Sequence, residues 1–497
     1  MKKVLDLLVV LLVFLIFSCS SSKSGNDSDI LPDADSDEVG TLDDDSDSQE
    51  AEIVDDSDET PILDDDDPED LSYCDEEDEE YLDDEDTISS YARCYDEIPD
   101  EPYEGFFADP NLEYWVKRSL NKDEDYELTE EDLEKVKNVQ MYSKDIRGIE
   151  KLVNLKYLRV SGGNIYDFSP LSNLKNLKEM RIDGENIDCL DESFALLTNL
   201  ETLEIDGTKL KDVSPVEQLE NLVDLRVADS RVEFLPKNIG NLQKLELLAF
   251  THNNLKNIAE VKFLTNLKKL FFHYNYIEDI SPIKCLLNLT RFGAQGNQIK
   301  DIFSVTNLVN LTYLGLDNNQ IEKIPKEITN LKKLQTLELD YNKICNLPNL
   351  KGLDSLDEMW IGSNDLTDED LMKLDDLETV RFLEVALCKK ITKVPVMKNL
   401  KSLQELYLNY NSITDLSGFA DNESFPALKS VYLGSNKISD AEALRKREGL
   451  TRLSIGKNCI QDLSPLEELK ERGTYISGMN EQLESCEDTT TIFKDGE

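Results

Sequence analysis

The chain has 497 residues, 104 Asp plus Glu against 53 Lys plus Arg, a formal charge of -51, and only two histidines. Such a length accommodates two or three ordinary domains or one extended repeat array. The charge argues against a nucleic-acid binder, because phosphate contacts need a positive surface. The scarcity of histidine disfavours His-ligated metals and Ser-His-Asp chemistry.

Lys2 and Lys3 precede an apolar run from Leu7 to Phe17. A spanning helix needs about 20 apolar residues, so residues 1–18 read as a secretory signal. The ending Ile16-Phe17-Ser18-Cys19 resembles the lipobox of bacterial lipoproteins. That resemblance implies cleavage before Cys19, lipidation of Cys19 and attachment to the bacterial envelope. Ser20, where inner-membrane retention favours Asp, points to the outer membrane or cell surface.

Residues 20–105 hold 37 acids and two bases, Lys23 and Arg93, so roughly two thirds of the net charge lies in about a sixth of the chain. Such a stretch repels itself, has little apolar surface to bury, and is expected to be a disordered acidic tether. As a flexible coil it would span roughly 50 Å, and fully extended roughly 300 Å. Asp33, Asp35 and Asp37 alternate as in a calcium loop, but Glu38 stands where that loop needs glycine and no Glu falls at its twelfth position. Diffuse cation condensation is the expected outcome.

Residues 106–135 read as a helical cap. Leu112, Val116 and Leu120 share one helical face beside Trp115, and Thr129 precedes Asp132 by three, a capping-box pattern. From Val136 one unit then recurs, written L-x-x-L-x-L-x-x-N-x-L/I. Starts fall at 136, 155, 177, 200, 222, 245, 267, 289, 311, 334, 356, 380, 403, 428 and 450, giving fifteen units across residues 136–462. The pattern resembles the leucine-rich repeat, in particular its internalin-like bacterial members. It implies an α/β solenoid, a horseshoe with one curved parallel sheet.

The physical reading agrees with the resemblance. Apolar residues at positions four and six alternate with polar ones, so a short strand buries one face. Asn at position nine (Asn253, Asn275, Asn297, Asn319, Asn342, Asn364, Asn411, Asn436 and Asn458) turns inward to satisfy backbone groups of the neighbouring unit. Cys388 replaces it once, and the first five units carry Lys144, Gly163, Glu185, Thr208 and Ser230. Connections such as DVSPVEQLENL predict short turns or 3-10 segments instead of helices. Residues 463–497 read as a closing helix, a strand and a tail.

Cysteine spacing contains no CxxC. Cys74 with Cys94 and Cys459 with Cys486 are the local disulfide candidates, and those inside the repeats are expected as buried thiols.

Positions three, five, seven and eight face away from the core on the concave side. Early units place Glu179, Arg181, Asp183, Glu204, Asp206, Asp224 and Arg226 there. Later units place Phe271, His273, Tyr274, Tyr313, Tyr341, Trp360, Phe382, Tyr407, Tyr410 and Tyr432 there. Aromatics at solvent-facing positions are what interface hot spots use, although they also ladder across strands and stiffen a sheet. The expected function is an envelope-anchored, monomeric binding or adhesion module with a protein or glycan partner on this face. No cofactor, catalytic residue or nucleic-acid partner is expected. The competing readings are a structural envelope lipoprotein working through its acidic stalk, and an enzyme, for which the short C-terminal segment leaves no room.

Overall fold

The structure, a computed structural model, describes residues 102–486 apart from positions 144, 163, 164, 166, 185 and 186. The expectations for the signal, Cys19, the acidic segment, Cys74 with Cys94, and the position-nine residues Lys144, Gly163 and Glu185 lie outside the described residues.

Among the described residues, sixteen strands form one parallel sheet in strict chain order. It runs from β1 (Asn138–Met141) to β15 (Arg452–Ser454), one strand for each expected unit, and closes with β16 (Tyr475–Ser477). The register places like positions opposite one another. Leu314 of β9 (Tyr313–Gly315) faces Leu337 of β10 (Thr336–Glu338), which faces Met359 of β11 (Glu358–Trp360). All three are fully buried. Leu383 of β12 (Phe382–Glu384), Leu406 of β13 (Glu405–Tyr407) and Val431 of β14 (Ser430–Tyr432) continue the row.

Consecutive strands are joined mostly through 3-10 turns, because a unit of 22 or 23 residues leaves little length for a helix. Ser169–Asn173, Ser214–Gln218 and Ser281–Cys285 each carry Pro in the first turn. The preceding Asp167, Asp212 and Asp279 accept the backbone N–H of Ser169, Ser214 and Ser281 through Oδ1, an Asx turn that needs only local sequence. Leu171, Val216 and Ile283 then drop into the core. One longer unit accommodates a helix, α3 (Asp368–Lys373), opened by a capping box between Thr367 and Asp370.

The interior polar scaffold is the asparagine ladder. Asn319 accepts the N–H of Ile299 through Oδ1 at 3.0 Å, and its Nδ2 donates to Ala294 O at 2.9 Å and Leu316 O at 3.0 Å. Asn253, Asn275, Asn297, Asn342, Asn364, Asn436 and Asn458 repeat this arrangement. Where the early units lack Asn, Thr208 Oγ1 and Ser230 Oγ hydrogen-bond each other at 2.6 Å, both buried. Cys388 turns its thiol toward the carbonyls of Ala386 and Ile361, and burial pushes that thiol up to about 12.

Both ends are covered. Upstream, α1 (Pro110–Ser119) buries Leu112 and Val116, with Trp115 and Leu120 packed partly against the core. In α2 (Glu130–Lys135) the Thr129–Asp132 capping box forms as expected. Downstream, α4 (Ser464–Glu471) packs Leu466 and Leu469 inward ahead of β16. Past β16, Gln482 donates to Ile455 O at 3.0 Å and accepts the N–H of Ile460 at 3.3 Å, the part the asparagines take elsewhere. The expected count of about fifteen therefore gains a partial sixteenth unit. Cys459 and Cys486 form a disulfide across this cap, with Cα atoms 5.4 Å apart. The expectation of thiols inside the repeats needs correction: Cys189 and Cys285 are disulfide-bonded, and Cys345 and Cys388 are free.

Replacing Asn319 by Ala strips the partner from Ile299 N–H inside the core, at about 1–3 kcal/mol for the orphaned group, while Ala294 C=O keeps its bond from Asn297. The urea midpoint of Asn319→Ala should fall accordingly. An unchanged midpoint would show that the ladder is dispensable.

Candidate functional site

On the solvent-facing side of the sheet, register builds the site. Position five presents Glu338, Trp360, Glu384, Tyr407 and Tyr432 on consecutive strands, which lie about 4.8 Å apart. That spacing suits stacked rings. Trp360 and Phe382 lie with centroids 4.3 Å apart, Phe382 and Tyr407 5.0 Å, and Tyr407 and Tyr432 4.0 Å in a near-parallel stack. Arg452 donates to Tyr432 Oη at 3.1 Å and closes the row.

The other candidates are dispersed. Phe271 stacks on His273 at 5.5 Å, and His252 on Tyr274 at 4.4 Å. Tyr313 lies under the Arg291 guanidinium, 4.3 Å from its ring centre. Tyr274, Tyr341 and Tyr410 occupy position eight with φ of 54°, 53° and 59°. This left-handed step carries them off the strand into the turn, where they are exposed. Among the described residues, no ring contact joins Tyr341 or Tyr410 to the row. His273, expected at the surface, is half-buried and accepts the N–H of Gln295 through Nδ1. Burial, followed by the charge of His252, lowers its pKa to about 4, so it is neutral at physiological pH.

The early face is ion-paired, three arginines bridging four of its acids. Arg181 pairs with Asp183 at 2.7 Å, Glu204 at 3.0 Å and Asp206 at 3.3 Å, while Arg159 holds Asp183 from the other side at 2.7 Å. Arg226 pairs with Asp224 at 2.7 Å and Glu204 at 3.4 Å.

Beside the aromatic row stands a group that sequence reasoning missed: Asp317, Glu338, Asp340 and Glu384. Tyr313 Oη donates to Glu338 at 2.7 Å, and Gln295 Nε2 bridges Asp317 and Glu338. Gly362 N–H reaches both Asp340 at 2.6 Å and Glu384 at 3.0 Å. Glycine is favoured there, since a Cβ on residue 362 would lie 2.7 Å from the backbone oxygen of Ala386 as well as against the Glu384 carboxyl. Among the described residues, no Lys or Arg forms an ion pair with any of the four. Burial, then the charge of Glu338, raises Asp317 to about 7. Burial also raises Glu338. Burial, followed by the charge of Glu384, raises Asp340, and burial raises Glu384, the two carboxyls sharing the Gly362 N–H. Asp317 Oδ1 and Trp360 Nε1 are shielded from solvent and have no hydrogen-bond partner. The signal available in the sequence was acid at positions five and seven in neighbouring units, interrupted by Gly362.

The model of a leucine-rich repeat region matches residues 135–292 and 285–464. The chain belongs to the leucine-rich repeat family. Among solved structures, it is similar to an internalin from Listeria monocytogenes, at 27% identity and TM-score 0.51, over 75% of this chain and 95% of that one. It is also similar to a leucine-rich repeat protein of Leptospira interrogans, at 24% identity and TM-score 0.58, over 70% of this chain and 97% of that one. The functional domain of InlJ from Listeria monocytogenes shares the fold at 22% identity and TM-score 0.54, over 73% and 77%. No curated protein matches the sequence. Leucine-rich repeat proteins are typically non-enzymatic scaffolds for protein interaction. No three His, Cys, Asp or Glu among the described residues are arranged to hold a metal ion.

A raised carboxyl pKa stabilises the folded state only while the proton stays on. For Asp317 that contribution is complete below the ordinary 3.8 and is lost as pH rises through about 7. Asp317→Asn should therefore gain on the wild-type protein as pH rises through that window, by roughly 2 °C or more in thermal midpoint at pH 8. Calorimetry yielding parallel curves for the two proteins would contradict the assignment.

Proposed function

We propose that this protein is an envelope-anchored binding module, lipidated at Cys19 and carried on an acidic tether over residues 20–105. On this reading residues 1–18 are the signal, 106–135 and 463–497 the caps, and 136–462 the repeats that present a protein or glycan partner with the concave face. The protein is a monomer on the bacterial outer membrane or cell surface.

One observation carries the reading: the unbroken row Trp360, Phe382, Tyr407 and Tyr432. The fold does not demand it. Position five is Gly293, Gly315 and Ser454 in other units, and those strands pair equally well. Rings set side by side offer rigid apolar area at little entropic cost, with hydroxyl and indole groups to hydrogen-bond, which is how interface anchors work. The internalin-like fold, typical of protein-binding modules, supports the same reading.

Trp360→Ala combined with Tyr407→Ala should weaken capture of the partner by about tenfold or more, while circular dichroism and the thermal midpoint stay close to wild type. Pull-down from candidate partner surfaces measures this, and undiminished capture would remove the function from this face. Cys19→Ser should move the protein from the detergent phase to the aqueous phase in a Triton X-114 partition. Retention in detergent would refute lipid anchoring.

A further inference from the structure

We propose that the partner inserts a cationic side chain, arginine or lysine, among Asp317, Glu338, Asp340 and Glu384 beside Trp360. This rests on the concave-face reading and specifies the chemistry of its occupant.

The sheet itself shows what compensation looks like. In the early units, Asp183, Glu204, Asp206 and Asp224 on this face are ion-paired with Arg159, Arg181 and Arg226. In the later units, four acids converge with no ion-pair partner among the described residues, and they are largely withdrawn from water. Carboxylates so placed are unfavourable unless a countercharge or proton arrives, and the raised proton affinity of Asp317 and Glu338 expresses that demand.

The surrounding groups narrow the countercharge further. Tyr313, Glu358 and Cys388 face the cluster and supply no cation. Arg291 is the one base that acts on it, and its guanidinium lies over the Tyr313 ring. Trp360 and Phe382 form an aromatic wall suited to a cation. The partnerless atoms need opposite things: Trp360 Nε1 an acceptor and Asp317 Oδ1 a donor. A peptide segment brings both, through its basic side chain and its own carbonyls, after a small rotation of Trp360. A bare metal ion brings no acceptor, and a neutral saccharide brings no charge.

The chain has two tryptophans, Trp115 and Trp360, so the full-length protein carrying Trp115→Phe reports on this site alone. The probe is a dodecapeptide of alternating arginine and glycine, compared at equal ionic strength with its glutamine–glycine counterpart. The expected result is a saturable change in Trp360 emission with the arginine peptide only. Its affinity should fall about tenfold in Asp340→Asn/Glu384→Gln, whose thermal midpoint holds or rises because a mutual repulsion has gone. If that variant fails to fold, Asp317→Asn takes its place under the same criterion. Binding that leaves Trp360 emission unchanged places the peptide on the acidic N-terminal segment and overturns the proposal. An equal response to the glutamine peptide also overturns it, yet leaves the docking face standing. A response to calcium chloride alone that competes with the peptide overturns it in favour of a metal site.

Discussion

The fold rests on a carboxamide turned into the inner bend of nine of the fifteen repeats. A chain that turns every 22 or 23 residues around a dry core leaves backbone N–H and C=O groups pointing inward. Unpaired, each would cost more than a leucine side chain nearby could restore. Asn meets the need because it is donor and acceptor on one short arm. Asn297 serves Ile277 N–H and Phe272 C=O in the preceding unit and Ala294 C=O in its own. The apolar rows supply the driving force, but the amide decides which unit sits against which. The site inherits its geometry from that spacing, since rings stack at 4.0–5.0 Å only because strands repeat at about that interval.

The architecture was largely legible in the sequence because it is periodic. The unit starts, the 3-10 connections and the caps at Thr129 and beyond Leu463 follow from local patterns, and Cys459–Cys486 was one of two candidate pairs that spacing alone left open. What stayed hidden is pairwise and non-local. Nothing in the spacing indicates that Cys189 and Cys285 are each disulfide-bonded, because cysteine positions do not determine connectivity. The aromatic row was found by selecting residue types at outward positions, which also gathered Tyr341 and Tyr410, lost to the turn by their left-handed backbone. The carboxyl group was missed because its members look like ordinary surface acids. Only the missing side chain at Gly362 and the absence of a neighbouring base distinguish them from Asp183 or Asp224.

The two halves of the face thus treat charge differently on one scaffold. Paired acids and arginines in the early units give a wet, self-satisfied surface of modest stability value, since such pairs contribute little when exposed. The later units hold carboxyls of raised proton affinity and unmet hydrogen bonds against an aromatic wall. Stored disadvantage of this kind persists where the surrounding fold over-determines it. The asparagine ladder on the inner side of these later strands provides that rigidity.

The ladder also has a direction. Each of these asparagines reaches back to the unit before it, so the side-chain joint of a repeat is supplied by its successor. The array is therefore polar, like a filament with one growing end, and its length is set by whatever stops the growth. Here the stop is Gln482, which is one methylene longer than Asn, with a disulfide pinning the segment behind it. Repeats can be gained or lost anywhere upstream with the chemistry of the remaining joints unchanged, but that terminator has to be kept.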